Sequence, residues 1–350
     1  MKARTFNTKK LILTLFIGLA IAIVMVTIAS LIGSSGMSVL TGIKILASRL
    51  PFIGSSINLD GISASQITIV LQIRLPRALA ALVVGGGLAV CGSGLQGMFK
   101  NPLADSGILG ISSGAALGAG VAIVLKIART TTIGLSGISL FAFVGGITCV
   151  LLVYYLSRVK GKINTVSLLL SGTAISAFSA ALLALVMMLH HDMADAIFAW
   201  TMGSLHNIDW KELSWCTPII LIGTVLLFMQ ARELNLLLLG EDEAKHLGVN
   251  TEMAKLRIMI LTAIICSAAV SVSGIIGFVG LIIPHVVRLF SGPDHRYLIP
   301  ISFIVGGIFL LLVDTIAKTV VSPLEINIGV ITSVLGGPFF IYLLRKRGRA

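Results

Sequence analysis

Charge is scarce in this chain: only 11% of its 350 residues are Asp, Glu, Lys or Arg, against roughly 25% in a soluble domain. Acidic residues are the scarcest, 14 against 26 Lys and Arg. So few charges cannot cover a water-facing surface made from 56% apolar residues and 37 glycines, at a mean hydropathy of +1.04. That excludes a soluble enzyme, a disordered chain and a secreted disulfide scaffold together. The four cysteines, Cys91, Cys149, Cys216 and Cys266, lie far apart in apolar stretches without C-x-x-C spacing. They read as small packed hydrophobes and fix no redox compartment.

Catalytic motifs are missing too. No G-x-x-x-x-G-K-[ST] run occurs, so the chain cannot hydrolyse ATP by a P-loop mechanism, and any ATP must be handled by a partner. The six histidines show no H-E-x-x-H spacing, and there is no nucleophile elbow, Asp-rich motif or paired catalytic carboxylate. The expectation is a non-enzymatic chain that binds no cofactor and no metal of its own.

What is present is long apolar runs. A membrane span needs about 20 apolar residues, and ten runs qualify: 11–32, 75–98, 107–125, 133–156, 164–189, 213–230, 254–272, 275–290, 298–320 and 327–344. The first follows Lys9-Lys10 and is long for a signal peptide, so it reads as an uncleaved span. The expected fold is all-α and polytopic, one domain over 1–350, with no linker to divide it. Ten spans put both termini on one side. Assigning that side as cytoplasmic places most basic residues inside. The net charge of +12 is therefore a set of topology signals in short loops, and nucleic acid is not an expected partner.

Two outer connections are long. Residues 33–64 are predicted to carry short helical pieces. In 190–211, Ala194, Ile197, Phe198, Thr201 and Met202 fall at helical spacing, which predicts a short helix, either re-entrant or lying flat with Trp200 and Trp210 at the headgroups. His190-His191 could touch a metal chelate, but adjacent helical residues point apart, and a solvated cap is the simpler reading. A weak echo, A-V-x-x-S-G-x-x-G, begins at Ala89 and again at Ala269. Five spans separate the copies, so they would run in opposite senses, as in inverted-repeat transporters.

Four features carry chemistry or packing. Gly110, Gly114 and Gly118 form a groove for close helix approach. Arg74 and Arg77 flank Pro76 at the outer mouth of the second span, where cations oppose both helix dipole and positive-inside preference. Two such placements point to an acidic partner outside, with snorkelling to lipid phosphate as the plain alternative. Asp314 is an intramembrane carboxylate, a functional suspect by default, with Lys318 four residues on to pair it. Residues 239–248 read as a short autonomous helix: Glu241 to Glu243 begin it, Lys245 and His246 end it, and Gly248 stops it. Ala244 and Leu247 give it a small apolar face. It is either a lever for a soluble partner or a passive connection.

R-L-P-R at 74–77, F-K-N-P-L-A at 99–104, L-G-E-D-E-A-K-H-L-G at 239–248, G-F-V-G-L-I-I-P-H-V-V-R at 277–288, G-P-D-H-R at 292–296 and I-G-V-I-T at 328–332 resemble the FecCD permeases. These are membrane subunits of type II ABC importers for iron–siderophores, haem and cobalamin, and the resemblance runs from about 11 to 347. It implies a second copy of the chain, two cytoplasmic ABC ATPase subunits that use the ATP, and an extracytoplasmic substrate-binding protein, all at the cytoplasmic membrane of a prokaryote. It makes Arg74, Arg77 and Lys318 the docking cations for glutamates of the binding protein. Lysine keeps the charge at 318 but not the bidentate fork of an arginine. It makes Gly240, Glu241, Ala244, Leu247 and Gly248 the coupling segment that fills a groove in the ATPase. It places Asn101, Leu103 and Thr165 near a cytoplasmic gate, where Val166 departs from the family's usual polar residue. An iron–siderophore is the expected cargo, with cobalamin or haem as alternatives. The rival classes are an ion-coupled secondary transporter, which would be expected to need a buried unpaired acid, and an integral-membrane enzyme.

Overall fold

The computed structural model describes residues 7–33, 37–49, 54, 57–127, 136–159 and 162–347. The first residues of the expected 133–156 span and parts of the 33–64 connection lie outside them. Among the described residues seven helices are long and apolar enough to cross a membrane, and three shorter apolar helices accompany them. All ten expected spans have a helix.

Most of these helices start where a small polar side chain takes up an otherwise orphaned backbone N–H. Asn7 opens α1 (Thr8–Leu31), Ser136 opens α6 (Gly137–Leu156), and Asn164 opens α7 (Thr165–Leu189). Asp209 opens α9 (Trp210–Met229), Asn250 opens α12 (Thr251–Ser273), and Asp294 opens α14 (His295–Ala317). Such caps contribute typically ~1 kcal/mol each. The second span is a continuous helical rod: α3 (Ala64–Thr68), a π-helical stretch Ile69–Arg74, then α4 (Leu75–Met98). The 33–64 connection contains α2 (Val39–Ala47), and the 190–211 connection contains α8 (Ala194–Thr201), which buries Ile197 against α5 (Ile111–Val124). A two-residue hairpin, Arg158–Val159 against Lys162–Ile163, leads from α6 into α7.

Two spans are shorter than expected. The 107–125 run begins with a single 3-10 turn closed by Gly110 at φ 72°, so the α-helix starts only at Ile111. The 275–290 run opens extended, because Gly274 (φ 66°) leaves the α12 helix and Phe278 (φ 67°) turns the chain into α13 (Val279–Ser291). The two copies of the sequence echo share one bond, from Ser93 Oγ to the Ala89 carbonyl and from Ser273 Oγ to that of Ala269. They then part: 94–97 stays helical and 274–277 does not.

The core is built round α4, which packs against α14, α12, α13 and α9. Glycine makes this possible. A Cβ built at Gly92 would overlap the Gly280 carbonyl on α13, and one at Gly85 the Gly306 carbonyl on α14. Between α5 and α6 the expected groove holds at Gly114 and Gly118, which face Gly145 and Phe141. Lipid tails are as apolar as Leu, so this close packing, not water exclusion, holds the helices together. At the periphery are α1 and α7, with 17% and 11% of their apolar windows buried. All four cysteines are free and buried. α15 (Ile328–Arg347) returns the chain to the end where α1 began.

Candidate functional site

Charged residues gather at both ends of the bundle. At the end far from the termini, Arg74, Arg77 and Lys318 come together, as the sequence predicted, but not as an outward-facing patch. All three are at most 9% exposed. Arg77 Nε and Nη2 each lie 2.9 Å from Asp314 Oδ1, and Nη1 lies 2.9 Å from Glu325 Oε2. Lys318 Nζ donates to the Ala29 carbonyl at 2.7 Å, and Arg74 Nη1 to the Leu31 carbonyl at 3.0 Å. This corrects the local pairing expected for Asp314: Lys318 stands 4.0 Å from its Oδ2, and the close partner is Arg77 on α4. The arginine meets Asp314 through two N–H groups and Glu325 through a third, in a fixed planar geometry that an ammonium lacks.

Glu325, a third exposed, forms the open edge of this cluster and also meets His206 Nδ1 at 3.2 Å. Partial burial pushes its carboxyl up, but Arg77, by charge and hydrogen bond, and then His206 bring it below the usual carboxylate range. It therefore stays ionised at neutral pH and holds its two partners.

The π stretch before Arg77 has a clear local cause. A π turn bonds each carbonyl to the N–H five residues on, and for Leu71 that residue is Pro76, which has none. The Trp210 indole N–H takes the vacant carbonyl at 2.8 Å. Pro76 stands in the first turn of α4, where its missing N–H is tolerated, and the π stretch carries the rod on before it.

At the end shared with the termini, α10 (Ala231–Leu239) is followed by the expected short helix, α11 (Glu241–His246). Gly240 (φ 142°) joins them and Gly248 (φ 84°) closes the second, both conformations that L side chains rarely adopt. Ala244 is fully buried against its own chain, whereas Leu247 is 54% exposed. The small apolar face thus divides, Ala244 seating the helix and Leu247 pointing away. Lys255 on α12, itself 4% exposed, anchors Glu241 at 2.6 Å. Beside α11, a cleft of about 370 Å³ opens between Arg232, Glu233, Leu247, Asn250 and Arg257.

α10 is itself clamped. Asn235 Nδ2 donates to Asp294 Oδ1 at 2.7 Å, and its Oδ1 accepts from the His295 N–H at 2.9 Å. His295 is fully buried and lies so near Gly97 that no Cβ fits there. Asn235 was missed by sequence reading, since its partners lie about 60 residues on.

The expected gate residues sit at this same end. Asn101 Oδ1 accepts from the Leu103 N–H at 3.1 Å, folding the 101–104 turn. Thr165 is the first residue of α7, and with Phe99, Ile163, Leu168 and Lys255 it borders a void of only about 10 Å³. Asn101 and Val166 are exposed and Leu103 is half-buried. His190 and His191 are both exposed at the far end of α7, and no cluster of three or more His, Cys, Asp or Glu able to hold a metal occurs among the described residues.

A polytopic helical bundle with a short charged helix at one end and a buried ionic cluster at the other has the make-up of a transport subunit. The FecCD transport family matches residues 19–346, and the chain belongs to that family. It is 45% identical over 278 residues to the hemin transport system permease protein HmuU of Yersinia pestis, covering 79% of this chain and 83% of that one. To the cobalamin import system permease protein BtuC of Halobacterium salinarum it is 41% identical over 288 residues, 82% and 76% of the two chains. A solved inward-facing structure described as a metal-chelate type ABC transporter superposes with a TM-score of 0.80 at 31% identity, over 95% of this chain and 98% of that one.

Proposed function

We propose that the chain is the membrane-spanning permease of an ATP-driven importer, and that its cargo is a metal chelate, an iron–siderophore first, with haem or cobalamin as alternatives. The observation that carries this is the likeness, over 79% and 82% of the chain, to hemin and cobalamin permeases together with a charged helix fit to meet a soluble motor. Both termini and α11 would face the cytoplasm, and two copies would enclose the path. A contrast between the two peripheral helices supports the pairing. The exposed residues of α1 are mostly large and apolar, such as Ile12, Leu13, Phe16 and Ile17, suited to lipid. Those of α7 mix large residues such as Leu170, Phe178 and Met188 with Thr173, Ala174, Ala177, Ala181 and Ala184, small side chains that suit close approach of a second helix. The test is uptake of ferrichrome iron, haemin and cobalamin by cells lacking and regaining the gene. Uptake of none of the three overturns the proposal, and uptake that survives ATP depletion but collapses with an ionophore makes the chain a secondary transporter.

In this reading Leu247 and the exposed charges of α11 contact the ATPase, while Ala244 holds the helix in place. Leu247→Asp is expected to reduce ATPase co-purification at unchanged thermal stability. Ala244→Trp is expected to cost roughly 1–3 kcal/mol of overpacking within the chain itself, and to weaken ATPase binding as a consequence. Wild-type co-purification of Leu247→Asp would make α11 a passive connection.

Docking of an acidic binding protein at the Arg74, Arg77 and Lys318 end would need access past Glu325. Charge reversal at Arg77 would break a buried pair as well as any docking contact, so salt is the cleaner probe. Association of the system's purified binding protein with the permease is expected to weaken steadily as salt rises, since exposed ion pairs are screened beyond ~8–10 Å. Salt-insensitive association would remove the electrostatic docking assignment.

A further inference from the structure

We infer that the first turn of α12 is the mechanical link between α11 and the start of α7, with Glu252 as its positioning residue. The inference rests on the permease reading, in which α11 meets the ATPase and Thr165 borders the gate. Two contacts leave neighbouring positions at the start of α12, Glu252 and Lys255 three residues apart, for two different segments. On one side Lys255 Nζ holds Glu241, the first residue of α11, at 2.6 Å. On the other, Glu252 Oε2 accepts the Ile163 backbone N–H at 2.7 Å. Ile163 lies two residues before Thr165, and Asn164 between them caps α7 through the Ser167 N–H at 2.9 Å. The Glu252 bond therefore grips the strand end that feeds directly into α7.

The chemistry suits transmission. A carboxylate accepting a backbone N–H makes a charge-assisted bond, stronger than a neutral one. Lys255 is 4% exposed, and the space between it, Ile163 and Thr165 shrinks to about 10 Å³, roughly one water. Close-packed groups transmit displacement instead of absorbing it, so a shift of α11 carries α12's first turn and, through Glu252, the beginning of α7.

The experiment uses the full chain co-expressed with its ABC ATPase, carrying Thr165→Cys as a reporter; the native cysteines are buried. Alkylation of that thiol by a water-soluble maleimide is timed with and without ATP. With Glu252 intact, ATP is expected to change the rate by about fivefold or more, the lower range of allosteric coupling. In Glu252→Ala the response should vanish while ATP hydrolysis continues. Glu252→Gln, which keeps an acceptor oxygen but no charge, should restore it. Should Glu252→Ala fail to assemble, Lys255→Met cuts the link on its other side and is expected to abolish the same response. A full ATP response in Glu252→Ala or Lys255→Met overturns the link alone. Failure of the unmutated chain to bind any ATPase overturns the permease reading, and the link with it.

Discussion

Asp314→Ala is expected to lower stability more than any other single carboxylate change in the chain. The residue is fully buried and accepts from both Nε and Nη2 of Arg77. Removing one partner of a buried pair leaves an uncompensated charge, at a cost of about 3–5 kcal/mol. The lower part of that range applies, because Glu325 still holds Arg77 Nη1. The measurement is thermal unfolding in detergent followed with a thiol-reactive dye, which reports directly because all four cysteines are buried. Asp314→Asn, which keeps an acceptor, should lose less. The double variant Arg77→Met with Asp314→Leu should recover much of the loss, since an apolar replacement of a whole buried pair is often neutral. An Asp314→Ala midpoint equal to wild type would show that the pair does not hold the far end together.

Gly92→Ala is the second large effect. The added methyl would overlap the Gly280 carbonyl oxygen and carbonyl carbon, which are backbone and cannot rotate away. Separation of α4 from α13 should cost at least the upper part of the ~1–3 kcal/mol typical of overpacking. Gly94, two residues along the same helix, supplies the control. A methyl there meets the Leu227 and Thr262 methyl groups at 3.0 and 3.1 Å, ends of side chains that can yield. Gly94→Ala should therefore cost clearly less. Equal losses would mean that helix α4 tolerates no methyl anywhere, and that the carbonyl contact has no special weight.

The helices were legible because each span is a continuous apolar run and most begin at an Asn, Asp or Ser. Their ends were less so: that Gly274 and Phe278 would take positive φ, and shorten the 275–290 span, is decided by tertiary packing. The short helix α11 was readable from its end charges and glycine stop, but periodicity alone could not say that Ala244 faces inward and Leu247 outward. The far-end cluster shows the limit most clearly. Arg77, Asp314 and Lys318 were each identifiable, yet local spacing favoured the Asp314–Lys318 pair four residues apart. The stronger partner, Arg77, is 237 residues away, and no local rule reaches that far. Glu252 and Asn235 carry no motif at all; their roles appear only when distant backbone groups meet them.

The packing of α14 on α4 has one more consequence. The two helices touch backbone to backbone at Gly85 and Gly306, with Asp314 gripping Arg77 at one extremity and His295 wedged against Gly97 at the other. A pair pinned at both extremities and in the middle resists sliding and is expected to swing as one beam. At 1.5 Å rise per residue, the 23 residues of α14 make that beam roughly 34 Å long. A swing of only ~5° about the Asn235 clamp then sweeps the Arg77 end through about 3 Å, roughly the length of one hydrogen bond. An angular change too slight to disturb any contact near the pivot is thus large enough to make or break a contact at the opposite face.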